Sequence, residues 1–301
     1  MKHKGDKISG WLVIDKPKGM GSTQVVGKTR YLLHAAKNGH CGTLDPFATG
    51  VLPIAFGEAT KLISYVMDGD KEYEFWLKFG KITDTLDCEG KVIAENNKIP
   101  TKDEINEFLS QFVGEIVQVP PIYSAIKING QRAYDLARKG EKAEIPERKI
   151  KIYNLELLDM PESDVAHCRV RCSKGTYVRT LGADIAKKLG ALGYLQALRR
   201  TKCGVFDVSS TILLENLEKI EYVEERQKKL LSVITCLRDI ADIAVTEADA
   251  AKLKQGQGVS PKNYQVTNLV GKEIIATCNN VLVAVVRIDD SRISPVRVFN
   301  F

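Results

Sequence analysis

Three side chains able to do chemistry stand together in 39-GHCGTLDPFATG-50: the imidazole of His40, the thiol of Cys41 and the carboxylate of Asp45. A thiol nucleophile needs an imidazole within hydrogen-bond reach, which makes His40–Cys41 a first candidate. Neighbours in an extended loop point to opposite sides, however, and the other histidines (3, 34 and 167) are scattered. Zinc is a second candidate. The closest cysteines, Cys168 and Cys172, lie in the alternating stretch HCRVRCSKG, which reads as a strand. Four residues apart on one strand face, their side chains are about 13 Å from each other, too far to share one ion. Asp45 is the third. Pro46 pushes its backbone toward an extended conformation, and Gly39, Gly42 and Gly50 permit tight turns or a close ligand approach. Such a carboxylate either shapes the loop as an Asx-type turn or is held for chemistry of its own. Spacing alone leaves both open.

The elements that must position this loop can be read around it. GWLVID at 10–15 predicts a short buried strand, and Ser22 predicts the cap of a helix running to about Leu33, stopped by Asn38-Gly39. A strand at 51–56 and a short helix at 58–66 follow the loop. In 71-KEYEFWLKFG-80, Tyr73, Phe75, Leu77 and Phe79 alternate on one strand face. A hairpin-like passage leads to a helix at 101–112, opened by a Thr101/Glu104 capping box. Residues 126–151 form a polar, basic excursion with a short helical piece around 131–138. Strands at 151–158 and 165–173, a helix at 176–189 and strands near 194–199 and 203–208 complete a large domain. An acidic helical stretch at 214–232 leads into a small module from about residue 240. It holds a short helix (247–254) and strands at 264–269, 272–278, 280–288 and 295–299. The fold class is therefore α+β: a mixed, antiparallel-rich sheet with flanking helices, plus a small C-terminal β-barrel. The domains are 1–239 and 240–301.

Length and composition agree. The 301 residues suit one large domain and one small one, and 44% hydrophobic residues provide for a sizeable core. No apolar run reaches the roughly 18 residues of a membrane span, and MKHKGDKISG lacks the apolar region of a secretory signal. Seven scattered cysteines read as free thiols, which places the protein in a reducing cytoplasm. The net charge of +6 is unevenly spread: +6 over 1–40, −7 over 41–125, +4 over 126–151 and +7 over 171–202. Basic blocks gathered onto one face would suit a polyanion; dispersed, they are ordinary surface charge.

The stretch GHCGTLDPFATGVLPIAFGEATK closely resembles the signature of the bacterial tRNA pseudouridine-55 synthases, the TruB family. The resemblance continues in order through IDKPKGMGS (14–22), KEY (71–73), GKITDTLDCEG (80–90), PPIYSAIKINGQRAYDLARKG (120–140), CSKGTYVRTLGADI (172–185) and LRRTKCG (198–204). It implies that Asp45 is the catalytic nucleophile and that Arg179 pairs with it. Tyr73 would stack on the target uracil, with removal of the C5 proton as a further candidate role. His40 would help hold the flipped-out RNA, Leu198 would line the pocket, and Lys16 would sit near the site. Cys41 departs from the family's usual Thr. The resemblance also makes 126–151 an RNA-clamping insertion and the C-terminal module PUA-like, on the looser match of TEADAAKLKQGQGV and RISPVRVF.

The chemistry so implied is the isomerisation of uridine to pseudouridine at position 55 in the T loop of tRNA. It breaks the N-glycosidic bond, turns the base and rejoins it through carbon. It needs no cofactor, metal or ATP, which suits a sequence without Walker loop, G-x-G-x-x-G or metal-ligand cluster. The expected partner is the tRNA T arm, with no membrane and no obligatory protein partner, and the expected state is a monomer. Two rivals remain. One is a guide-dependent relative acting on ribosomal RNA; the other is a tRNA-binding folding factor whose catalysis is secondary.

Overall fold

The computed structural model describes residues 5–123, 127–128, 131–132 and 145–301. Strand β1 (Gly10–Lys16) is buried almost along its length, as GWLVIDK requires, and helix α1 (Ser22–Leu32) follows it. Ser22 does not cap that helix. Gly21 takes the cap position, its N–H donating to Gln24 Oε1 at 2.8 Å. The Ser22 hydroxyl turns inward instead, donating to the Leu44 carbonyl at 2.9 Å and accepting from the Leu44 N–H at 2.8 Å. Leu44 is buried, so its backbone groups need protein partners, and Ser22 is the nearest hydroxyl. Strands β2 (Asn38–His40) and β3 (Thr49–Phe56) pair antiparallel and bracket the loop 41–48, so Asn38-Gly39 begins a strand where a helix stop was expected.

A 3-10 turn (Gly57–Leu62) leads into α2 (Ile63–Asp68) and β4 (Lys71–Phe79). In β4, Phe75, Leu77 and Phe79 are buried on the face the alternation assigned them. A hairpin of β5 (Lys81–Thr83) and β6 (Val92–Glu95) precedes α3 (Lys102–Leu109), whose Thr101/Glu104 capping box forms. Next come β7 (Gly114–Gln118) and the two-residue pair β8 (Lys127–Ile128) and β9 (Gln131–Arg132). Most of the expected basic insertion at 126–151, with most of its short helix, lies outside the described residues. Long β10 (Arg148–Glu162), β11 (Val165–Cys172), α4 (Val178–Lys188) and β12 (Gly193–Cys203) complete the centre. Strands were expected near 194–199 and 203–208, but β12 runs unbroken from Gly193 to Cys203. Its ladder to β4 absorbs the irregularity in two register shifts, and Arg200 is buried.

After β13 (Phe206–Asp207) and β14 (Ile212–Leu213), the acidic stretch forms α5 (Leu214–Lys219) and α6 (Val223–Gln227) rather than one long helix. The C-terminal module holds β15 (Asp242–Ala244), α7 (Glu247–Lys254), β16 (Glu273–Cys278), β17 (Val281–Ile288) and β18 (Ile293–Val298). Its expected strand at 264–269 is replaced by 3-10 turns at Pro261–Asn263 and Thr267–Leu269.

The architecture is α+β, with an antiparallel-rich, mixed ten-stranded sheet. Its path is β14-β1-β3-β12-β4-β11-β10-β7, with β2 beside β3 and β13 beside β12. The pairs β1–β14 and β3–β12 are parallel. One core lies between this sheet and α1, α3 and α4. A second joins the other face, through Trp11, Val51 and Phe206, to Ile275, Val285 and Phe299 of the C-terminal module. Among the described residues that module's four strands run as an open path, β15-β16-β17-β18, without closing into a barrel. It is fastened by Tyr65 Oη donating to Glu273 at 2.6 Å and Lys61 Nζ donating to the Val298 carbonyl at 2.8 Å.

Gly50 marks where the sheet is tightest. Its φ is +101°, and a β-carbon there would lie 2.2 Å from the Arg200 carbonyl oxygen of the neighbouring strand. Gly50→Ala should therefore lower stability by at least about 1–3 kcal/mol, the ordinary cost of backbone strain before the clash is added. Urea unfolding of the two proteins measures it, and an unchanged midpoint would contradict this packing.

Candidate active site

The loop 41–48 reaches the site because four separate elements hold it. Ser22 fixes Leu44 from α1, and the Cys41 N–H donates to the Pro53 carbonyl of β3 at 2.9 Å. The Gly19 N–H donates to the Pro46 carbonyl at 2.8 Å. Lys16, 0% exposed at the end of β1, donates from Nζ to the carbonyls of Pro17, Met20 and Pro46 at 2.9, 2.6 and 3.2 Å. Asp45 is thus presented from a loop whose backbone is tied on both sides.

The carboxylate opens onto a cavity of about 620 Å³. Tyr73 of β4, Leu198 and Arg200 of β12, and the 173–179 segment leading into α4 share its walls. Helix α4 forms because Val178, Leu181, Ile185 and Ala186 recur on one buried face, with Lys187 and Lys188 at the end that favours cations. Gln118 holds its start, donating to the Tyr177 carbonyl at 3.0 Å and accepting from the Tyr177 N–H at 2.8 Å. That places Arg179 inward, its side chain only 4% exposed.

Arg179 is shared between two carboxylates. Nε lies 3.0 Å from Asp45 Oδ2, and Nη1 lies 3.1 Å from Asp87 Oδ2. Nη1 also donates to the Thr85 carbonyl at 2.9 Å, and Nη2 to the Tyr123 carbonyl at 2.7 Å. The Nε contact with Asp45 is short but poorly aligned for a hydrogen bond, so it acts as an ion pair. Asp87 is locked in turn: its Oδ1 accepts from Thr85 Oγ1 at 2.6 Å and from the Glu89 N–H at 3.0 Å. Burial pushes the Asp45 carboxyl above its ordinary range; Arg179 is the largest opposing charge, Asp87 adds to the rise and Lys16 opposes it. The site is chemically a part-buried carboxylate at a cavity wall, paired with a guanidinium.

Of the residues singled out in the sequence, Asp45, Arg179, Tyr73 and Leu198 converge on this cavity. Two do not line it. Lys16 is brought beside Asp45, with its ammonium on three carbonyls that fix the loop. Its ammonium is pushed down to about 8, chiefly by burial. His40 ends β2, half-buried, with Nδ1 enclosed and without a partner. Burial, and then the Arg200 charge, lower its pKa, which favours the neutral ring. Tyr73 is pushed up to about 12 by burial, with the Arg200 guanidinium pulling the other way.

Cys41 is 0% exposed, in the core on the far side from the pocket, and burial raises its thiol. It is not a nucleophile paired with His40. Cys168 and Cys172 fill the core on one face of β11. Among the described residues no group of three or more His, Cys, Asp or Glu comes together to hold a metal ion.

Three contributors escaped the sequence reading. Asp87 sits in GKITDTLDCEG, where a turn carboxylate ahead of a glycine gives no sign of an arginine 92 positions away. Arg200 looks like surface charge, yet it is 1% exposed, donating to the carbonyls of Val51 and Gly42 at 2.8 and 3.1 Å. Lys71 opens the K-x-Y motif and its Nζ caps the end of α2, donating to the carbonyls of Val66, Met67 and Gly69. Only the alternation of β4, which puts Lys71 on the Tyr73 face, hinted at its burial.

Comparison with known proteins places these residues in context. Residues 30–178 match the model of the TruB family pseudouridylate synthase N-terminal domain, and residues 179–242 that of the tRNA pseudouridylate synthase B C-terminal domain. The tRNA pseudouridine synthase B of Caulobacter vibrioides is 43% identical over 99% of this chain and 98% of its own. That of Rhodospirillum rubrum is 45% identical over 99% of both. Among solved structures, a chain of a Cbf5-Nop10-Gar1 complex covers 97% of this chain and 84% of its own, with a TM-score of 0.72 at 24% identity, a likeness of fold.

Two measurements follow from the charges. A carboxyl-carbon NMR titration should place the Asp45 midpoint above the ordinary ~3.9. Arg179→Gln should move it further up, since the largest opposing charge is gone; a downward move would contradict the ion pair. Lys16→Met should remove three part-buried hydrogen bonds that tie the loop, lowering stability by about 1–3 kcal/mol. It should also speed hydrogen exchange at the Gly19 amide, while unchanged exchange would mean that Lys16 does not hold the loop.

Proposed function

The chain belongs to the TruB family of pseudouridylate synthases, and from that footing we propose that it converts a uridine of tRNA to pseudouridine, at position 55 of the T loop. It is an isomerase: the N1–C1′ bond breaks, C5–C1′ forms, the C5 proton leaves and N1 gains one. The observation that carries the reading is the Asp45 carboxylate at the wall of a nucleotide-sized cavity, 3.0 Å from a buried arginine. Asp45 supplies the nucleophile. Arg179 favours its ionised form, offsetting the burial that works against it.

A uridine inside a folded loop must leave its stack to reach Asp45. Tyr73 offers an aromatic face for the extruded base, a contact of about 1–3 kcal/mol, and Leu198 closes the pocket beside it. Removal of the C5 proton is a further role for the same residue. His40, at the edge of the same loop, supports the RNA that flips out. Residues 1–239 form the catalytic domain with the RNA-clamping segment 126–151, and 240–301 a PUA-like RNA-binding module. The protein acts in the cytoplasm as a monomer on the T arm of tRNA.

Conversion of an unmodified tRNA transcript by wild type and by Asp45→Asn, with nothing else added, tests this. Wild type should form pseudouridine at position 55 and the variant none above background, while both bind the transcript. Since the ionised carboxylate is the active form, wild-type activity should be full above the raised Asp45 pKa and fall as pH drops through it. Equal activity of the two proteins would refute the assignment.

A further inference from the structure

The cations around the cavity are almost all accounted for. Arg179 faces two carboxylates, Lys174 pairs with Asp68 at 2.8 Å, and Lys71 and Arg200 spend their donors on carbonyls. Arg148 is different. It opens β10 opposite Gln118 and lies on the strand face of Ile150 and Ile152, which turns it toward the cavity it lines. Its guanidinium lies over the Tyr177 ring at 5.5 Å. It makes no ion pair with any described carboxylate, Glu147 on the same rim included, and its Nε is enclosed without a partner.

A guanidinium stacked on a ring and left without an anion is already oriented for one, at little further entropic cost. Its surroundings suit an anion too. The turn 173–176 runs alongside, close enough that a β-carbon on Gly175 would lie 3.6 Å from Arg148 Nη1. The backbone N–H groups of Lys174, Gly175 and Thr176 make no hydrogen bond to other described residues. The Arg148 guanidinium and the backbone of the 173–176 turn thus line one cavity side by side, with Lys174, paired to Asp68, on the same lining.

Once a uridine places its base against Tyr73 and Leu198, its only anionic groups are the phosphodiesters that join it to its neighbours. We infer that Arg148, stacked on Tyr177 and flanked by the 173–176 turn, seats a phosphodiester oxygen adjoining the target uridine. The inference rests on the function proposed above. The seat fixes the extruded nucleotide at its backbone while Asp45 acts on its sugar or base, so it contributes to substrate binding and not to the reacting atoms.

The test uses a T-arm RNA with one neutral methylphosphonate, placed in turn on either side of the target uridine. For wild type, one of the two should raise KM about ten- to a hundredfold, the loss expected for one charge-assisted hydrogen bond, with kcat little changed. Arg148→Gln should raise KM on the unmodified RNA by a similar factor and be insensitive to that same methylphosphonate. Its binding should also show a salt dependence weaker by about 0.7 in slope. Arg148→Lys keeps the charge without the stacked fork and should fall between, a graded response that a purely structural loss would not give. A variant with wild-type KM, or one still penalised by the methylphosphonate as wild type is, would overturn the seat and leave the proposed function standing. A wild type that makes no pseudouridine in the unmodified RNA would remove both.

Discussion

Everything in the pocket depends on one guanidinium serving two carboxylates. Arg179 touches Asp45 with one edge and Asp87 with another, and its remaining donors meet two carbonyls. Two carboxylates held on one side chain repel each other, and the positive charge between them offsets that repulsion. An arginine can hold that position because it stays charged when buried and its planar fork presents several donors at set angles. A buried pair of this kind is not chosen for stability: losing one partner costs about 3–5 kcal/mol, while a well-packed apolar replacement is often no worse. Its persistence in the core of the molecule is best understood through what it does to Asp45.

The scaffold around that pair is arranged to remove slack. Asp87 is held by a threonine hydroxyl and an amide within its own turn, α4 is registered on β7 by Gln118, and the Asp45 loop is tied to β1, α1 and β3. These ties use side chains buried for their hydrogen bonds and not for their apolar surface. Lys16, Lys71 and Arg200 all follow this pattern, each an enclosed cation donating to backbone carbonyls. The sheet supplies the rigid base on which such placements hold to within the fraction of an ångström that chemistry demands.

Burial also divides the titratable groups by role. It raises Asp45, Tyr73 and Cys41 and lowers Lys16 and His40, in each case disfavouring the charged form. Asp45 alone among them has an arginine in ion-pair contact and an opening to the cavity. The contrast with Cys41, four residues away, separates a residue enclosed for packing from one enclosed for reaction. The C-terminal module meanwhile packs through Ile275, Val285 and Phe299 on the opposite side of the sheet, away from the pocket wall.

The sequence by itself determined the strands and helices whose burial is periodic. It also determined the loop that carries Asp45 and, through ordered motifs, the pairing of Asp45 with Arg179. Alternation in 71–79 was enough to place Tyr73, Phe75, Leu77 and Phe79 on one face, because side-chain direction in a strand is fixed by counting. Counting could not show that Arg200 or Lys16 is enclosed, since a charged residue reads as solvated until its carbonyl partners arrive from distant segments. Nor could it show that Ser22 turns from its helix to Leu44, or that Asp87 shares the arginine. The contacts of Ser22, Asp87 and Arg200 join residues 22 to 158 positions apart, and only the closing of the sheet brings them within hydrogen-bond range.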